Sequence, residues 1–380
     1  MDQDEGIPDH GEAEQASYAR FGGETDGRDE QPACRQDAPR PRRPTRILFA
    51  GHDFKFLRFL LSHFREQPDY CVLTDDYESH ALGNKAKSAE LLKQADVIFC
   101  EWCLGNAEWY SHHALKHQKL IVRLHAQEVR LGFLDRINWQ RVDRIVIVSE
   151  HYFDMFTERV PSMAGRALLL RNAVDCESFD KPKRDGSEFN LGLLGICPRQ
   201  KSPHLAIEIL RRLQVVDERY RLFIKGKHPS EYEWLWARPE ERAYYERFYD
   251  DVNRSDLADS VVFDEFGDDV AEWFTEIGTI LSTSEHESAH LAVAEGMASG
   301  AVPVIRGWAG ARRHYPERYV VQHEAEAFVT EAVATILERD NPIVRLQESR
   351  FCKAFVRDNF DRRCIIRQYK ELLSELWEPV

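Results

Sequence analysis

Eleven short apolar runs of strand length, separated by amphipathic stretches of helical period, constrain this chain more than any other feature. The first six are "RILFA" (46–50), "YCVL" (70–73), "DVIFC" (96–100), "KLIVRLH" (119–125), "RIVIVS" (144–149) and "ALLLR" (167–171). Runs apolar on both side-chain faces suit buried strands of a parallel sheet, whose connections must be long crossovers. The charged stretch "NAVDCESFDKPKRDGS", with its Gly and Pro, marks a linker, and a second series follows it. That series is "FNLGLLGI" (189–196), "RLFIKG" (221–226), "SVVFDEF" (260–266), "GTILSTS" (278–284) and "AVPVIRG" (301–307), with "HLAIEILRRLQVV", the aromatic-rich 230–250 segment, "DDVAEWFTEI" and "HLAVAEGMAS" as intervening helices. The alternation predicts an α/β protein with two Rossmann-like domains facing a cleft.

The expected division is an acidic tail over 1–44, a first domain over 45–175, a second over 176–350, and C-terminal helices over 351–380 packing back on the body. The tail has eleven Asp and Glu, six Arg and almost no aliphatic residue, so it cannot offset its ordering entropy and is expected to be disordered. Its end, "PRPRRPTR", reads as a solvated linker. A net charge of −14 offers no basic field for nucleic acid or an anionic membrane, so an anionic ligand needs a local pocket. Eight scattered cysteines suit free thiols in a reducing compartment, and the expected location is the cytoplasm. Cys100 and Cys103 form one Cys-x-x-Cys without a second pair at zinc spacing, so both are expected to be buried thiols. With no signal sequence and no run of about 18 apolar residues, neither secretion nor a spanning helix is expected. "FLRFLLSHF" (56–64) could make peripheral membrane contact, but its place directly after the first strand favours packing on the sheet.

The stretch "STSEHESAHLAVAEGMASGAVPVI" (282–305) carries the chemistry. Glu287 and Glu295 stand among small apolar residues, where an ionised carboxylate without a partner is costly. Ser288 is the expected N-cap of a helix from about Ala289 to Ser299, and Gly300 ends it. The amides of His290 and Leu291 would then be open donors at a helix start on the carboxyl edge of a sheet, where α/β folds bind phosphates. Alone, the two glutamates would pass for surface or capping residues.

Their context changes that reading. Ser284, Glu287, Glu295, "GMASG" and "AVPVI" together resemble the Glu-x7-Glu signature of retaining glycosyltransferases with the GT-B fold, family four in particular. The resemblance implies that Glu287 contacts the transferred sugar and Glu295 the ribose of a nucleotide donor. His290 stands where that family usually has a glycine. "LGLLGICPRQKSPHLAIEIL" resembles the family's "GRLxxxKG" loop, whose cations clamp the donor diphosphate: Lys201 matches the lysine, Ile196 occupies the arginine position, and Arg199 is the substitute cation. "LLRNAVDCESF" resembles the interdomain "PNGVDxxxF", with Asn172, Val174, Asp175 and Phe179 matching; local turn geometry is its first expected role. The resemblance spans about residues 46–375 and is closer in the second half.

In the first half, Gly51 in "AGHDF" permits close approach of backbone or ligand, and His52 and Asp53 follow it. His125, just past a strand's carboxyl end, matches a family position that contacts the transferred sugar. Glu101 and Asn106, near Trp102 and Trp109, are candidate acceptor contacts, although such residues also cover sheet edges. The function implied is transfer of a sugar from a nucleotide-diphosphate donor to a glycan, glycolipid or other acceptor, retaining in outcome as that family is, in cell-surface polysaccharide or glycoconjugate synthesis. No cofactor and no catalytic metal are expected. A non-enzymatic GT-B relative is the alternative, suggested by Ile196 and His290. A nicotinamide dehydrogenase is remote, since no Gly-x-Gly-x-x-Gly follows the first strand of either half.

Overall fold

The computed structural model describes residues 43 to 377 apart from Ser255. The expected tail therefore lies outside the described residues as far as Arg42, as does Cys34. All eleven apolar runs form strands: β1 Thr45–Gly51, β2 Tyr70–Asp76, β3 Val97–Cys100, β4 Lys119–Leu124, β5 Arg144–Ile147, β6 Ala167–Leu169, β7 Asn190–Leu194, β8 Arg221–Lys225, β9 Val261–Asp264, β10 Thr279–Ser282 and β11 Val302–Ile305. They make two separate sheets, ordered β2-β1-β3-β4-β5-β6 and β11-β10-β7-β8-β9. Every pairing is parallel.

Strand order locates the places where a ligand can bind. In the first sheet the chain leaves β1 for β2 on one side and for β3 on the other; in the second it leaves β7 for β8 and later crosses to β10. Helices connected in opposite directions diverge at these points, which opens a crevice at the carboxyl ends of β1 and β3 and of β7 and β10.

Helical periodicity explains how the layers cover the sheets. In the helix Pro203–Gln214 the proline occupies the first turn, and Leu205, Ala206, Ile209, Leu210 and Leu213 recur at spacings of three and four on the buried face. The helix Pro342–Phe360 packs Cys352, Val356 and Phe360 against the second domain. It is continuous through residue 350, and the chain turns toward the first domain at Asp361. There Asp361 accepts the Arg363 amide and caps the helix Arg362–Leu376, which lays Ile365, Tyr369, Leu372 and Leu373 on Phe49, Phe99 and their neighbours in the first domain. At about 1.5–3 kcal/mol per buried large apolar side chain, that crossing is a substantial tie between the halves. Beside it, Val174 pairs with Asp361, so the chain passes between domains twice through one hinge.

Candidate functional site

Two loops at the β7 and β10 ends build the site. After β7 the chain passes Gly195, makes a single turn over Arg199–Lys201, and enters the helix Pro203–Gln214 from Ser202. After β10 it passes Thr283 and Ser284 and reaches the helix Leu291–Ser299. Three contacts join the loops. The Glu285 amide donates to the Gln200 carbonyl at 2.9 Å, and the Thr283 hydroxyl donates to the Lys201 carbonyl at 2.5 Å. Buried Arg306, at the end of β11, donates to the Thr283 carbonyl at 3.2 Å and to Ser202 Oγ at 3.3 Å.

Lys201 is thereby brought to Glu287, with Nζ 2.5 Å from Oε1. The same oxygen accepts from Ser284 Oγ at 2.7 Å. Burial alone would raise this carboxyl, but the neighbouring His290 and Lys201 and the hydrogen bonds from Lys201 and Ser284 outweigh it and hold Glu287 below the usual carboxylate range. It is an anion set beside a cation.

The helix begins at Leu291, two residues later than the sequence suggested, and Ser288 does not cap it. The reason is His290, whose φ of 41° and ψ of 66° lie in the left-handed region and interrupt the helix. For a residue other than glycine this costs about 1–3 kcal/mol and persists only where neighbours enforce it. Here the buried Tyr315 hydroxyl shares its one proton between the carbonyls of Ala289 (2.8 Å) and His290 (3.1 Å), and Ser282 Oγ lies 2.6 Å from His290 Nδ1. The amides of His290, Leu291 and Ala292 make no hydrogen bond among the described residues. They form an open donor set at a helix start.

Glu295, one turn into this helix, is half-buried and makes no hydrogen bond or ion pair among the described residues. Burial pushes its carboxyl up to about 7. Arg199 stands apart from this group. Its guanidinium is exposed and pairs with Glu241 of the helix Pro239–Arg254, with Nε to Oε1 at 3.6 Å. Ile196, in the arginine position of the resembled loop, is 3% exposed and belongs to the core.

The first-domain candidates converge at the β1, β3 and β4 ends, but in a sealed arrangement. Glu101 is fully buried; its Oε1 accepts from Arg123 Nη1 at 2.6 Å and lies 3.1 Å from His125 Nε2. Burial pushes the Glu101 carboxyl up to about 7, Arg123 only partly opposing, and burial with Arg123 pushes the His125 imidazole down to about 3. The His125 ring is covered by Trp102 at 4.0 Å and Phe56 at 5.1 Å between centroids. Asn106 spends its amide on the carbonyls of Ala50 (2.7 Å) and Glu101 (2.8 Å). At Gly51 a Cβ would come within 2.9 Å of the Glu101 carbonyl, so the glycine serves close strand-end packing. Arg123 also donates to Asn172, two residues before the Val174 bridge to Asp361.

Several site residues carried no motif. Arg123, Arg306 and Tyr315 are polar residues in or near apolar runs, and a charge in such a run signals a buried partner. Tyr152 of the first domain has a raised phenol: burial is the main cause, Arg130 opposes, and Glu287 of the second domain adds to the rise. A cavity of 220 Å³ opens beside the β7 and β8 ends, lined by Gly195, Ile196, Gly226, Lys227, Tyr232 and Phe266.

No family model and no curated protein matches the chain. Solved structures do. A glycosyltransferase from Rickettsia africae aligns at a TM-score of 0.70 with 12% identity, over 88% of this chain and 98% of its own. HepE from Anabaena, in complex with UDP, aligns at 0.66 with 16% identity, over 87% and 100%. Sucrose-phosphate synthase from Thermosynechococcus elongatus aligns at 0.63 with 16% identity, over 87% and 99%. At these identities the likeness concerns architecture: the chain has the two-domain GT-B fold of glycosyltransferases.

Proposed function

We propose that the protein is a glycosyltransferase that moves a sugar from a nucleoside diphosphate to a glycan, glycolipid or other acceptor, with retention of configuration, in the synthesis of cell-surface polysaccharide or a related glycoconjugate. One observation carries the reading: Glu287 and Lys201 meet at the second sheet's crevice beside an open helix start. The departing diphosphate needs positive charge, and Lys201 with the amides of His290, Leu291 and Ala292 supplies it. The transferred sugar, which gains positive character at its anomeric carbon, needs a nearby anion and hydroxyl acceptors, and Glu287 supplies both. Glu295 takes the ribose hydroxyls. The 220 Å³ cavity next to Ile196 accommodates the base. HepE, whose structure was determined with UDP and with UDP-glucose, has the same architecture and supports a nucleotide-sugar donor. His125 has its imidazole engaged by Glu101 and Arg123, so its contribution to the sugar falls to the backbone carbonyl.

Thermal-shift measurements with uridine, guanosine, adenosine and cytidine diphosphates test the reading. One of them should raise the melting temperature of the wild type and leave Lys201→Ala unchanged. Equal stabilisation of both proteins would remove Lys201 from the phosphate site. A second reading, a GT-B protein that binds nucleotide without transferring sugar, is favoured by the absence of a cation at Ile196. It predicts the same thermal shift with no hydrolysis of any nucleotide sugar.

A further inference from the structure

His290 places an imidazole on a backbone conformation that glycine adopts without cost. The ring is buried, with Nδ1 2.6 Å from Ser282 Oγ and Nε2 3.8 Å from Glu287 Oε1. Burial pushes it down to about 4, against the pull of Glu287 and with help from Lys201, so at neutral pH it carries one proton. The nitrogen facing a carboxylate must hold that proton for the contact to be attractive. Ser282 is therefore the donor to Nδ1, and the protonated Nε2 is the nitrogen nearer Glu287, at 3.8 Å a polar contact longer than a hydrogen bond. Lys201 and Ser284 thus hydrogen-bond one carboxylate oxygen, Oε1, and His290 faces that same oxygen from 3.8 Å. Oε2 makes no hydrogen bond among the described residues.

We propose that His290 is a positioning residue for Glu287: held by Ser282, it fixes the carboxylate so that Oε2 is the oxygen presented to the ligand. The backbone strain at this left-handed position is then what having an imidazole in place of glycine costs the loop. The inference rests on the reading of Glu287 as the sugar-facing carboxylate, and it makes stability and turnover respond in opposite directions.

The test compares wild type, His290→Gly, His290→Asn and Glu287→Ala. Hydrolysis of UDP-, GDP-, ADP- and CDP-glucose is followed, and the affinity for the matching nucleoside diphosphate is measured by calorimetry. The glycine variant relaxes the backbone and should melt at or above the wild-type temperature. It should bind the nucleoside diphosphate within about twofold of wild type, yet hydrolyse the sugar nucleotide at least about tenfold more slowly. Asparagine tolerates the left-handed region and accepts from Ser282 but presents nothing to Glu287, so it should show the same kinetic loss. Wild-type turnover in either variant overturns the proposal, and so does a fall in turnover matched by an equal fall in nucleotide affinity. If wild type hydrolyses none of the four, or Glu287→Ala hydrolyses as fast as wild type, the reading of Glu287 itself fails and this inference falls with it.

Discussion

Each sheet ends in a glutamate set beside a cation and a histidine: Glu287 with Lys201 and His290 in the second domain, Glu101 with Arg123 and His125 in the first. Their charge states differ. Burial dominates at Glu101 and lifts its carboxyl to about 7 despite the guanidinium. At Glu287 burial is outweighed and the carboxyl stays low. Access differs too, since no part of Glu101 reaches solvent whereas the Glu287 side chain keeps 12% exposure. Trp102, Phe56 and His125 seal the first site, and its arginine also donates to Asn172. Similar residues at equivalent strand ends thus make a brace in one domain and an open anion in the other, and what separates them is who covers them.

Removing Glu101 should break this comparison most visibly. Glu101→Ala leaves Arg123 charged, buried and without its carboxylate, a loss of about 3–5 kcal/mol. Arg123→Ala should cost less, because the orphaned carboxyl can take up a proton. Its cost should also depend on pH. The folded-state pKa of Glu101 is already raised above the unfolded value and would rise further without Arg123. The folded state then holds a proton that the unfolded state releases, so stability falls as pH rises from about 4.5 through 7 and beyond. Denaturant unfolding of both variants at pH 5 and pH 8 measures this. Equal, pH-independent losses would mean that Glu101 is solvated and that the brace does not exist.

Glu287→Ala probes the other side. The open site predicts a stability change within about 1 kcal/mol and a fall of at least about 100-fold in sugar-nucleotide hydrolysis, the scale of losing one transition-state contact. A variant that unfolds as readily as Glu101→Ala would make Glu287 a second brace.

The strands and their grouping were legible because continuous apolar runs such as "KLIVRLH" and "AVPVIRG" have few other uses at that length. Loop conformation was less so. Ser288 has the right side chain for an N-cap, but the tertiary bonds of Tyr315 and Ser282 hold His290 in a left-handed turn and move the helix start. Resemblance assigned Lys201 and Glu287 to one donor site, but their direct pairing was not legible, since the two residues are 86 positions apart and local pattern cannot join them. Arg123 could have been noticed: a guanidinium inside an apolar strand run requires a buried partner, and Glu101 closes the neighbouring strand.

Glu295 supplies the finest test, because its carboxyl rises to about 7, the same value as Glu101, in a different setting. Titration of Glu101 is sealed from ligand and should register in folding stability. Glu295 is half-buried without a hydrogen-bond partner, so its titration should register in nucleotide affinity. Ribose hydroxyls donate best to an ionised carboxylate, and between pH 6 and 8 Glu295 passes from mostly protonated to mostly ionised. Affinity for the nucleoside diphosphate should therefore rise with pH, by up to about tenfold, if ribose binding needs the anion. The terminal phosphate of the ligand also titrates near pH 6, so the quantity to compare is the slope in wild type against the slope in Glu295→Gln. The glutamine variant should retain only the ligand's own dependence. Identical slopes would detach Glu295 from the ribose, and a stability profile that changes with Glu295→Gln while the affinity profile does not would place Glu295 with Glu101 as a structural carboxyl.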